Sequence, residues 1–231
     1  HLITDWHLAE DKKDKEIGTT KRGNGPAYRD KYARKGVRAL EDPRLSPYII
    51  DIYDELYENC NPNNVKILFE GAQGFGLDVD WGDYPFVTSS HCTAGSALLN
   101  GVPPSAVRDV WGVAKIYETY VGAKAFEGPD DIFEEIRQIG QEFGSTTGRA
   151  RQINWLDFDL LKMASRINGV SKLVFNKMDV LEEVDSWCLF DGPNLYEFKN
   201  RDDTEFWIKS KLELEVNSDI EIFFSGNKNC I

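Results

Sequence analysis

The chain has 231 residues, 41% hydrophobic and 12% aromatic, which is enough for a real core and argues against a disordered polypeptide. Its formal net charge of −12 speaks against nucleic acid or an anionic membrane as partner. No apolar run reaches the about 18 residues that a spanning helix needs, and the first residues are polar, so a soluble cytoplasmic protein without a secretory leader is expected.

The charge is unevenly spread. From Lys12 to Arg38 ten Lys and Arg stand against three Asp and Glu, so either a local anion site or a solvated charged face is expected there. Within it, Ile17-Gly18-Thr19-Thr20 and Gly23-Asn24-Gly25-Pro26 set hydroxyl groups and flexible turns beside arginines. That is the donor set a phosphate monoester needs, and Thr20 and Arg34 are the candidates. Arg29, Lys31, Arg34, Lys35 and Arg38 are expected on one helix. Ile49, Ile52, Tyr53 and Leu56 then share a helical face.

Val65–Phe69 is expected to form a strand that ends in Glu70-Gly71-Ala72-Gln73-Gly74. The Gln73 amide offers donor and acceptor together, which suits a neutral heterocycle with an oxo group, or simply a turn. Thr88 follows in Tyr84-Pro85-Phe86-Val87-Thr88-Ser89-Ser90-His91, where His91 reads as a loop residue. Val110–Ile116 is a second strand. Ile132, Phe133, Ile136 and Ile139 mark a helix from about 130 to 141.

After Glu142-Phe143-Gly144, Thr147, Arg149 and Arg151 could grip a dicarboxylate or a phosphate, or pair with Asp157 or the acidic surface. Leu160, Met163, Ala164 and Ile167 mark another helix, and Leu173–Phe175 and Ile220–Phe224 the last strands. Strands alternating with helices indicate an α/β fold with a mostly parallel central sheet flanked by helices. One domain over 1–231 is expected, its glycine-rich loops converging at the carboxyl ends of the strands. Cys60, Cys92, Cys188 and Cys230 form no C-x-x-C pair and read as reduced thiols, not a zinc site.

Asn176-Lys177-Met178-Asp179 is the most specific motif. A carboxylate at Asp179 can accept from guanine N1–H and the 2-amino group together, which rejects adenine. No G-x-x-x-x-G-K-[ST] loop accompanies it. A guanine-nucleotide module of GTPase type would therefore lack its phosphate cradle, and the Thr147, Arg149 and Arg151 loop would stay unexplained.

Taken in order, Ile17–Arg34, Phe69–Gly95, Glu142–Leu156 and Phe175–Val180 resemble the signature blocks of the adenylosuccinate synthetase family. The resemblance implies a P-loop-NTPase-like synthetase fold and a C–N bond-forming ligase. Such an enzyme joins L-aspartate to the 6-position of IMP, with GTP and Mg2+, through a 6-phosphoryl intermediate. It implies nucleotide-phosphate contacts at Thr20, Arg34 and Thr88, with Arg34 reaching across a homodimer interface. Gln73 would be the catalytic amide beside the purine oxygen. Thr147, Arg149 and Arg151 would bind aspartate, with Arg149 also near the ribose. Lys177 and Asp179 would read the guanine of GTP, with Gly226 as the turn against the base.

The family's G-D-E-G-K-G loop, which carries the general base, and the following acid histidine are not in this chain. The resemblance thus implies a synthetase lacking its N-terminal part, inactive alone, with the Mg2+ ligands mainly in that part. Phe75, Ala150 and Cys92 depart from the usual G-A-Q-G-T, arginine-run and S-S-N-T-T patterns. A viral branch that uses dGMP in place of IMP is one alternative. A remnant that only binds nucleotide or dimerises is another.

Overall fold

Strand and helix spacings of apolar residues in the second half of the chain translate into a layered fold. The computed structural model describes residues 1–58, 66–144 and 148–226. They fall into two units, His1–Ala106 and Val107–Ile231.

The second unit holds strands β1 (Trp111–Lys115), β2 (Tyr117–Tyr120), β3 (Gln152–Asp157), β4 (Lys172–Asn176), β5 (Trp187–Asp191), β6 (Asn194–Phe198) and β7 (Glu221–Phe224). β1, β4 and β7 make an all-parallel sheet in the order β1-β4-β7, with Lys115 opposite Asn176 and Phe175 opposite Phe224. The other four make a mixed sheet, β2-β3-β5-β6, in which only β3 and β5 run parallel. The expected parallel sheet is therefore present, joined by a second one that was not foreseen.

Helices α4 (Ile132–Ile139), α5 (Phe158–Asn168), α6 (Met178–Val184) and α7 (Arg201–Glu215) complete the layers. Asp157 caps α5 by accepting from Leu160 N–H at 3.1 Å, and Gly169 ends it in the left-handed region. Phe158, Leu173, Phe175, Met178, Leu181, Leu189 and Ile208 are essentially removed from water. At about 1.5–3 kcal/mol per large side chain, this core supplies the main driving force of the unit.

A half-buried carboxyl borders this packing. Glu118 on β2 accepts from Asp157 N–H at 3.4 Å. Burial pushes its carboxyl up to about 7; that N–H and Lys124 oppose the shift and the Asp157 charge reinforces it. A carboxyl raised in the folded state stabilises the fold below its ordinary value near 4.5, and that contribution is lost as pH rises through about 7. A Glu118→Gln variant should match the wild type in urea unfolding at about pH 4 and below. Near about pH 8 it should exceed it by up to ~3 kcal/mol. Parallel pH profiles for the two proteins would remove Glu118 as the cause.

The first unit contains α1 (Asp5–Asp11), α2 (Asn24–Tyr32) and the short α3 (Ser96–Leu99). Thr4 caps α1, and buried His7 faces Asp30 of α2 across 3.3 Å. Gly23 opens α2 with φ 79°, and a Cβ there would lie 2.8 Å from an Ile3 methyl, so this close helix approach excludes larger residues. Among the described residues this unit has no strand.

Three expectations are corrected here. The strand expected at Val65–Phe69 does not form: Val65 lies outside the described residues, and 66–70 are irregular, with Leu68 89% exposed. A strand needs a neighbour for its N–H and C=O groups, and no strand among the described residues pairs with this segment. The helix expected around Ile49–Leu56 forms only from Ile52, running directly into a π-helical turn at Asp54–Glu58, and Ile49, Ile52 and Tyr53 are exposed. A helix whose apolar face stays largely exposed loses most of the stabilisation that packing supplies. The basic helix stops at Tyr32, because Arg34 turns left-handed with φ 61°, so Arg34, Lys35 and Arg38 lie beyond it. Among the described residues no helix is long and apolar enough to cross a membrane.

Candidate functional site

In the first unit an open cleft of about 1090 Å3 is lined by Thr19, Tyr28, Arg29, Thr88, Ser89 and His91, among others. Of the expected nucleotide residues only Thr88 is on its wall. Thr20, Arg34 and Gln73 are exposed and are not among its lining residues. Gln73 has φ 64°, as its place in a tight turn requires.

The basic stretch contains a built-in anion. Asp14 Oδ1 accepts from Ile17 N–H at 3.1 Å, and Asp14 Oδ2 accepts from Gly18 N–H at 2.9 Å and Thr19 N–H at 3.2 Å. Burial opposes ionisation of this carboxyl, but these donors and Lys21 hold it well below the usual range. The backbone donors of the glycine-threonine loop, expected to serve a phosphate, are therefore taken by a side chain three residues upstream. An aspartate inside a cationic run was the signal for it.

Residues 74–92 fold around Asp78, which is fully buried. Thr88 N–H donates to Leu77 C=O at 2.9 Å and Val79 N–H to Ser90 C=O at 3.2 Å, tying the two arms of the loop. Cys92, a free thiol, is pushed up to about 11 by burial and the nearby Asp78 charge, so it stays protonated. Cys188 is the other free thiol seen, and Cys60 and Cys230 lie outside the described residues.

In the second unit the site residues gather at the carboxyl ends of β1 and β4, where open parallel sheets place ligands. The N-K-x-D turn joins β4 to α6. Lys177 is left-handed, with φ 66°, and its ammonium donates to Gly140 C=O at 2.8 Å, fixing the turn to the end of α4. Asp179 stands in the first turn of α6. Gly226 lies against it: a Cβ there would come 2.9 Å from Asp179 Cβ and 3.1 Å from Cγ. Ser225 N–H donates to Phe175 C=O at 2.8 Å, and Phe175 stacks on Phe224 at 5.1 Å, so both sides of the turn are anchored.

Beside this turn lies a network that the motif reading missed. Glu142, 1% exposed, accepts from Lys115 Nζ at 2.7 Å, Arg151 Nη1 at 2.8 Å and Tyr117 OH at 2.8 Å. Burial opposes its ionisation, yet Lys115, Tyr117 and Arg151 outweigh that and keep it anionic. Burial also draws the Lys115 ammonium down, since Glu142 does not return the whole desolvation cost. The Tyr117 phenol is pushed up by burial, then by the charges of Glu142 and Asp179.

Arg151 is thus paired with Glu142, where Asp157 was an expected partner. Arg149 is exposed, and its C=O accepts from Gly144 N–H at 2.8 Å to close the loop. Thr147 lies outside the described residues.

The family model of adenylosuccinate synthetase matches residues 1–42 and 40–192. Adenylosuccinate synthetases of Neisseria meningitidis serogroup C and Carboxydothermus hydrogenoformans are 38% and 40% identical to the chain. These matches cover 80% and 78% of it, and 55% and 54% of the relatives. The chain spans about half the length of the curated relatives it matches.

Among solved structures, fully ligated adenylosuccinate synthetase from Plasmodium falciparum matches with a TM-score of 0.69 at 30% identity, over 87% of this chain and 60% of that one. Cyanophage S-2L succinoaminodeoxyadenylate synthetase, bound to dGMP and dATP, matches with a TM-score of 0.63 at 20% identity, over 90% and 69%. At that identity the likeness is one of fold.

Proposed function

Since the chain belongs to the adenylosuccinate synthetase family, we propose that it carries the purine-, aspartate- and guanine-recognising part of a GTP-dependent ligase. That ligase joins L-aspartate to the 6-position of IMP. The observation that supports this most is the closed turn at Asp179, abutted by Gly226, in the same unit as an arginine held by buried Glu142. One feature suits a guanine base and the other an amino-acid carboxylate.

On this reading Asp179 accepts from guanine N1–H and the 2-amino group, and Lys177 holds the turn that presents it. Thr147, Arg149 and Arg151 bind the aspartate carboxylates, Arg149 also reaching the ribose. Thr20 and Thr88 hold the IMP phosphate, and Gln73 orients the purine oxygen as it takes up the phosphoryl group. Arg34, exposed just past α2, extends to a second copy, so the working form is a cytoplasmic homodimer.

Magnesium belongs with the GTP phosphates in this family. The one group of clustered ligands among the described residues, Asp78, Asp80 and His91, includes an imidazole that Mg2+ does not favour. Magnesium is therefore not placed on them.

The test joins this chain to the amino-terminal region its relatives carry and follows phosphate release from GTP. Release should require both IMP and L-aspartate. Release without aspartate, or none with both substrates present, would overturn the ligase reading.

A further inference from the structure

Three side chains of the first unit converge without a use in the ligase reading. Asp78, Asp80 and His91 each present one ligand atom, all within 4.8 Å of one another. Asp78 is held in a single orientation from below. Its Oδ1 accepts from Asp80 N–H at 2.9 Å and Trp81 N–H at 3.2 Å, and its Oδ2 from Cys92 N–H at 2.5 Å. Two donors fill the acceptor capacity of Oδ1, and one leaves Oδ2 with a lone pair to spare.

That same Oδ2 faces His91 Nδ1 at 4.0 Å, and Asp80 Oδ2 faces the same nitrogen at 3.5 Å. Both gaps exceed an ordinary N–H···O hydrogen bond. They are close to the about 3.3 Å that separates donors bound at about 2.0–2.2 Å around one tetrahedral ion. Asp78 is buried and fixed, so the His91 ring, 34% exposed, is the group that can turn to close the wider gap, with the exposed Asp80 following it. Backbone N–H groups gripping a ligand carboxylate are the outer shell that metal sites use to aim it.

We propose that Asp78, Asp80 and His91 form a three-ligand site for a divalent transition-metal ion of the Zn2+ class. Two carboxylates and an imidazole match the ligand preference of such borderline ions, whereas Mg2+ and Ca2+ take oxygen donors. Asp80 and His91 also line the cleft that holds Thr88, so a fourth coordination position opens toward it. The site is separate from the magnesium of the ligase reading and does not depend on that reading.

The test is titration of the chelator-stripped chain with Co2+, read by its visible ligand-field absorption, and with Zn2+, read by calorimetry. One equivalent of each should bind. His91→Asn and Asp80→Asn should each weaken binding by at least about 10-fold, while His1→Ala, which removes an exposed histidine at the chain start, should leave it unchanged. The two site substitutions fall on side chains that are not buried, so circular dichroism should show both variants folded. If either fails to fold, the other decides. Absence of stoichiometric binding, binding unaffected by both site substitutions, or binding abolished by His1→Ala would each overturn the site.

Discussion

Replacing Asp179 by Asn is expected to turn the assembled ligase from GTP toward XTP. The carboxylate accepts two hydrogen bonds from guanine, from N1–H and the 2-amino group. An asparagine amide keeps one acceptor and adds a donor, which suits the 2-oxo group of xanthine. Hydrogen bonds to a charged group contribute about 1.5–3 kcal/mol each. Losing one of the two and setting the amide donor against the 2-amino group should therefore lower kcat/KM for GTP by at least about 10-fold, and XTP should recover most of that loss. Gly226 makes the swap clean: it leaves no side chain between Asp179 and the base, and asparagine has the same shape as aspartate. Steady-state kinetics with both triphosphates is the measurement, and unchanged use of GTP would remove Asp179 from the base site.

Glu142→Ala is expected to have the largest effect on stability. It would strip a buried anion from between Lys115 and Arg151 and leave the Tyr117 hydroxyl without its acceptor. Breaking a buried ion pair from one side costs about 3–5 kcal/mol, because the remaining cation stays desolvated. Urea unfolding of the chain should show that loss. Glu142→Gln keeps the volume and one acceptor, so it should cost less while still loosening Arg151. In the ligase that would appear as a raised KM for aspartate with unchanged KM for GTP. A Glu142→Ala protein within about 1 kcal/mol of wild type would mean that water already reaches the network.

What could be read from the chain depended on how local its signals were. β4, β7 and α4 were legible because each is short, periodic and largely covered on the face its apolar residues mark. α5 was placed correctly but buries Phe158, Leu161 and Ser165 and leaves Met163 and Ile167 of the expected face exposed, and β1 leaves Trp111 and Val113 exposed. The mixed sheet was not. β6 is short and largely exposed, and β3 alternates Gln152, Ile153, Asn154 and Trp155 within a stretch that read as a ligand loop. Val65–Phe69 carries a strand's composition, yet its described residues 66–69 pair with no described strand, so pattern alone did not decide the outcome.

The site divides in the same way. Lys177, Asp179 and the approach of Gly226 follow from one strand, one turn and one neighbouring strand end. Lys115 and Tyr117, by contrast, reach Glu142 from 27 and 25 residues away. No motif spacing encodes a contact of that kind. Asp14 hid in plain view, outvoted by the ten cationic residues around it.

Ile67, Leu68 and Phe69, adjacent and exposed, also govern how the chain behaves in concentrated solution. Adjacent exposed apolar side chains are an adhesive, and identical copies supply the matching surface. Turbidity or heavy species in a preparation of this chain can therefore arise from fully native molecules sticking through this one strip. Light scattering and unfolding curves would then report different things about the same sample.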